Sequence, residues 1–143
     1  MGMGMSTPAL SSAKFGKTME REALAGWSDG NRVETLVNGG EYFPQMLEAV
    51  KSAKKTITFE TFVAVDGYVT YDLVMALAER AQAGVKVHVI FDGIGSSRMD
   101  ETYFTALRVS GVEVESYRPY NFLRPIHSNN RDHRKILVVD GKV

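Results

Sequence analysis

Val85-Lys86-Val87-His88-Val89-Ile90-Phe91-Asp92-Gly93 is the stretch on which the fold turns. Its β-branched and aromatic residues predict a strand from Val85 to Phe91, entered after Gly84 and left at Gly93. Upstream, Leu73, Ala76 and Leu77 fall at helical spacing, so a helix is expected from Thr70, a capping residue, to about Ala83. Gly84 is the stop signal. Before that helix, Thr56 to Val63 predicts a strand with apolar residues on both faces, as in a sheet covered on both sides. Downstream, a helix from about Ser97 to Ser110 ends at Gly111, and Val112 to Tyr117 forms the next strand. Strand starts near 56, 85 and 112 are 29 and 27 residues apart, the length of strand–helix–strand units with right-handed crossovers. The fold class is α/β, a mostly parallel or mixed β-sheet flanked by helices on its faces.

Outside this core the pattern weakens. Arg32 to Val37 predicts a short strand ended by Asn38-Gly39-Gly40. Phe43, Met46, Leu47 and Val50 then predict a helix, with Pro44 tolerated in its first turn. Residues 1–31, rich in Met, Gly, Ser and Ala, are expected to be a flexible arm, or else to hold a short lead-in helix around Thr18 to Ala25. The domain proper is 32–143.

Composition is that of an ordinary globular chain: 143 residues, 44% hydrophobic and 24% charged. Lys plus Arg and Asp plus Glu number 17 each, so no net charge favours a polyanion partner. The absence of cysteine excludes disulfides and thiolate chemistry. No apolar run approaches the ~18 residues of a membrane span, and the N-terminus lacks a signal-peptide pattern.

The chemistry concentrates at His133-Arg134-Lys135-Ile136-Leu137-Val138-Val139-Asp140, an H-x-K-x4-D pattern on a predicted strand. From average residue usage it arises by chance in roughly one chain of this size per hundred, so its context has to carry weight too. On a strand, His133 and Lys135 share a face, because side chains alternate. Imidazole can attack or protonate, and a fixed ammonium can hold an anionic oxygen, which suits phosphoryl chemistry. Asp140 has the other parity, which gives it an orienting or structural role at the strand end. Arg118 to Asp132 precedes the strand as a long loop with two prolines and His127. From Arg118 to Lys135 the only acid is Asp132, so a locally basic approach leads into the motif. Tyr117, Tyr120 and Phe122 flank that loop, to stack, to meet lipid or to pack it down.

The segment Asn130 to Lys142 resembles the HKD signature of the phospholipase D superfamily, and is more narrowly similar to the N-terminal half of bacterial cardiolipin synthases. Val37 to Phe43, Ile57 to Phe62, Val85 to Gly93 and Gly111 to Val114 resemble the family's preceding segments in order. The resemblance implies a phospholipase D-like half domain, incomplete at its C-terminal end, in which two HKD halves face one another. It implies phosphatidyl transfer at the cytoplasmic membrane surface, two phosphatidylglycerol molecules giving cardiolipin and glycerol through a phosphohistidine, with no cofactor and no metal. His133 is then the catalytic nucleophile or acid/base, His133 and Lys135 the phosphate-binding pair, and Asp140 the motif's third member. No second H-x-K-x4-D occurs in these 143 residues, so a missing half or a homodimer would have to supply it. The alternatives are a homodimeric phosphodiesterase or nuclease, although nucleic acid is disfavoured by the neutral charge, and a catalytically inactive fragment.

Two further acids stand out. Asp92 ends a strand, where open α/β sheets bind ligands, or else caps the Gly93-Ile94-Gly95 turn. Glu60 lies in an apolar strand, either accepting hydrogen bonds near the site or as a satisfied structural carboxylate. His88 reads as a packed or edge histidine.

Overall fold

The computed structural model describes residues 9–119 and 131–141. The centre of the basic loop, with His127, Tyr120 and Phe122, lies outside the described residues. The chain divides into two units, 1–35 and 36–143.

In the first unit, α1 (Ala13–Ala23) starts earlier than the sequence predicts. Ser12 supplies the cap, its hydroxyl accepting from the Phe15 N–H at 3.2 Å. Leu24, at φ 53°, ends the helix in the left-handed region. The helix buries no residue, and Trp27 Nε1 donates to the Gly16 carbonyl at 3.2 Å.

The strand expected over Arg32 to Val37 does not form. β-rich composition needs a partner edge, and this run has none: Val33 is 90% exposed, and Arg32 pairs locally with Glu34. The Val37 N–H donates instead to Glu41 Oε2 at 2.6 Å, at the start of the next helix.

The second unit is an open sheet of order β3-β2-β1-β4. β1 (Thr56–Thr61), β2 (Lys86–Asp92) and β3 (Glu113–Tyr117) are parallel, and β4 (Lys135–Val139) runs antiparallel to β1. The α/β expectation therefore holds, as a mixed sheet. Register places Phe59 between Val89 and Leu137, and Thr61 between Phe91 and Lys135. α2 (Gly39–Ser52), α3 (Tyr68–Gln82) and α4 (Glu101–Val109) pack their Val50, Leu77 and Leu107 onto Ile57, Val87 and Val89. α4 starts later than Ser97, because Asp100 caps it, accepting the Thr102 N–H at 2.8 Å.

The opposite sheet face corrects the expectation of cover on both sides. Among the described residues no helix packs there, and Thr56, Thr58, Lys86, His88, Glu113 and Glu115 are exposed. The β1 sequence alternates Thr-Ile-Thr-Phe, the pattern of a strand buried on one face. Gly95 is needed where the turn after β2 passes under the β1 exit, since a Cβ there would run into the Phe62 carbonyl.

Candidate active site

Residues 131–134 deliver β4 to the C-terminal ends of β1 and β2, where open α/β sheets bind ligands. The His133 ring stacks on Phe62, with centroids 4.1 Å apart and planes inclined by 25°. Lys135 Nζ lies 5.2 Å from the centre of the same ring, within cation–π range, and donates to the His133 carbonyl at 2.5 Å. Both side chains are solvent-exposed. The structure brings the imidazole and the ammonium together, but not on one strand: His133 lies in the segment before β4, which begins at Lys135, and Phe62 adds an aromatic floor that the sequence did not single out. An ammonium has three donors, so two remain for an anion beside the imidazole. Lys135 also forms part of the wall of a cavity of about 820 Å³ between the sheet and α3.

Asp140 is not brought to this pair. It sits at the far end of β4, roughly 17 Å along the strand from Lys135 at the usual rise per residue. Its carboxylate accepts the backbone N–H groups of Lys54, Lys55 and Thr56 at 3.0, 2.6 and 3.0 Å, and its own N–H donates to the Thr56 carbonyl at 2.8 Å. The Thr56, Lys55 and Lys54 bonds hold its pKa below the usual carboxylate value. Asp140 clasps the turn between α2 and β1.

A buried acid–arginine network carries the segment before His133. Asp92 is fully buried. Its carboxylate takes the Ile94 and Gly95 N–H groups at 3.0 and 2.8 Å, capping the turn after β2. The same carboxylate takes the Asp132 N–H at 2.9 Å and Arg131 Nη1 at 3.1 Å. Burial pushes the Asp92 pKa up, but bonds from Gly95, Asp132, Ile94 and Arg131 outweigh it and hold the group low.

Asp132 accepts from the Arg134 N–H and Nε at 3.2 and 3.0 Å, while Arg134 Nη2 reaches Glu60 Oε1 at 3.2 Å. Glu60 is raised above its ordinary value, first by its hydrogen bond to Asp132, then by burial and the Asp132 charge. Asp132 is lowered, chiefly by the same bond. The shifts of the two neighbouring carboxyls are thus opposite in sign, Glu60 up and Asp132 down. His88 is remote from this network in register, exposed on the open face and paired with Glu113 at 3.0 Å.

Phe62, Arg131, Asp132 and Arg134 are the site residues to which sequence reasoning gave no role. The signal for Asp132 was its place as the single acid in a basic stretch, one residue before the motif. Nothing local marked Phe62.

Comparison with known proteins bears on the family and the fold. The family described as "Cardiolipin synthase, PLD-like domain" matches residues 46–143. The chain is 36% identical over 120 residues to cardiolipin synthase B of Salmonella typhi, covering 82% of this chain and 29% of that protein. Cardiolipin synthase B of Escherichia coli (strain K12) is 35% identical over 119 residues, with the same coverage. Cardiolipin synthase A of Pseudomonas syringae is 38% identical over 112 residues, covering 78% of this chain and 23% of that protein. The crystal structure of Nuc, a phospholipase D family member from Salmonella typhimurium, superposes with a TM-score of 0.51 at 23% identity, over 71% of this chain and 59% of that one.

The fold and the family match over residues 46–143 define a phospholipase D-like domain. Within that class, the chain belongs to the cardiolipin synthase family. It spans less than a third of the length of the cardiolipin synthases it matches. Among the described residues no helix is long and apolar enough to cross a membrane.

Proposed function

We propose that this chain carries one half of a phosphatidyl-transfer site that converts two phosphatidylglycerol molecules into cardiolipin and glycerol at the membrane surface, as a peripheral protein. The observation that carries this reading is the His133–Lys135 pair on the Phe62 ring at the mouth of the sheet. A neutral imidazole nitrogen of His133 attacks phosphorus and forms the N–P bond as the P–O bond to glycerol breaks. Lys135 meets the charge on the non-bridging oxygens. A second histidine, from another HKD half, protonates the departing glycerol oxygen. It then takes the proton of the acceptor's hydroxyl, whose oxygen displaces His133 from phosphorus.

The test is a quench with labelled phosphatidylglycerol in the presence of the complementary half. Alkali-stable, acid-labile label on His133, and at least a thousandfold loss of cardiolipin formation in His133→Ala, are expected. Synthesis that survives His133→Ala removes the residue from the mechanism. Labelling by a nucleic-acid phosphodiester in preference to lipid replaces the substrate class.

A further inference from the structure

The cavity beside Lys135 has a composition that phosphoryl transfer does not require. Its volume is about 820 Å³, at the upper end of the ~300–1,000 Å³ typical of small-molecule sites. Phe59 and Phe91 form its sheet side, Leu73 and Leu77 its helix side, and Val65 and Val69 its rim. Several polar groups in the wall are engaged locally: the Thr70 hydroxyl donates to the Val65 carbonyl at 2.6 Å, the Thr61 hydroxyl donates to the Val63 carbonyl at 3.3 Å, and Asp66 accepts the Asp100 N–H at 2.8 Å. Among the described residues, Lys135 is the one cation in the lining.

The surroundings point the same way. Tyr68 is 91% exposed, and Val63, Val65 and Val69 of the lining are exposed as well. A second apolar hollow of about 400 Å³ adjoins it, formed by Gly67, Tyr68, Tyr71 and Tyr103. Tyrosines with an apolar body and a polar tip suit the boundary between lipid and water. A largely apolar chamber with the Lys135 ammonium in its wall, and Asp66 turned to the Asp100 N–H, complements a molecule with a phosphate and a hydrocarbon tail.

We infer that this cavity is the acyl-chain site for the phospholipid whose phosphate Lys135 holds, with the 63–75 segment resting on the bilayer. The inference rests on the phospholipid reading above and extends it from the phosphate to the tail. A chain seated there places its phosphodiester at Lys135 and His133, so depth of burial sets the register of the reacting phosphorus.

The experiment measures binding, so it needs no turnover. The full chain is titrated with phosphatidylglycerols of four to eight carbons per acyl chain, below their micelle-forming concentrations, and with glycerophosphoglycerol, which has no chain. Affinity should rise by up to about fourfold for each methylene that enters the cavity. Val65→Trp and Val69→Trp, made separately at exposed rim positions and checked for native circular dichroism, should flatten that slope. Lys135→Ala should weaken every chain length by a similar factor and keep the slope. A phosphatidylglycerol with a diazirine at its chain end should label the segment 63–77.

Affinity independent of chain length overturns the inference, as does labelling confined to other segments, including residues 13–23. So does an unaltered slope in both tryptophan variants. Chain-length-dependent binding by a protein that never forms cardiolipin keeps the acyl site and removes the transfer reaction. Cardiolipin synthesis with flat binding does the reverse.

Discussion

Removing the charge of Asp92 while keeping its size isolates what that residue does for His133. In Asp92→Asn, an amide replaces a carboxylate that accepts from Arg131 and from three backbone N–H groups, those of Ile94, Gly95 and Asp132. One amide position would face donors as a donor, and Arg131 would keep a buried charge without its counter-ion. Breaking a buried pair in this way costs about 3 kcal/mol, read as a lower urea midpoint. Phosphohistidine formation at His133 should fall as well, because the residue before it loses its anchor. A destabilised protein with full labelling would make the Asp92 clamp purely structural. The His133–Lys135 pairing was legible because the two residues lie only two apart, although His133 precedes β4 and strand parity does not set it. The clamp was not, since Asp92 and Asp132 meet from forty positions apart. Phe62 was hidden for the same reason: it became the floor of the site only when β4 arrived beside β1.

At the scale of elements, β4 is fastened at both ends by carboxylates with opposite pH behaviour. At its exit, Asp140 holds the α2–β1 turn, and its folded pKa lies below its ordinary 3.8. The stability it adds is present above that value and is lost as pH falls through the folded pKa. At its entry, Glu60 has a pKa raised above its ordinary 4.5. Its contribution is complete below 4.5 and is lost as pH rises through the folded value. Asp140→Asn should therefore flatten the acid limb of a stability-against-pH curve and speed amide exchange at Lys54 to Thr56. Glu60→Gln, which cannot ionise, should flatten the fall on the other side. Parallel changes in both variants would mean that the two ends are not separately titrated. The strand–helix rhythm was readable from residue spacing because each unit is local. The pairing of β4 with β1, and the failure of Arg32 to Val37 to pair at all, depend on which edges are available in space. No local pattern records that.

For the molecule as a whole, the arithmetic of catalytic groups decides what the chain can do by itself. An in-line displacement needs a nucleophile on one side of phosphorus and an acid on the other. His133 cannot occupy both sides at once, and its sequence holds one H-x-K-x4-D. Glycerol is a poor leaving group without a proton. A nitrophenolate leaves as an anion and needs none. The 143-residue chain mixed with a nitrophenyl phosphodiester should therefore release about one equivalent of nitrophenolate in a burst and trap phosphohistidine at position 133. The same chain given phosphatidylglycerol should make no cardiolipin until a second HKD half is added. Cardiolipin formation at a rate that scales with the square of protein concentration would identify a second copy as the contributor of the missing group. Cardiolipin made by a strict monomer would place the acid within this chain, and the requirement for two halves would fall.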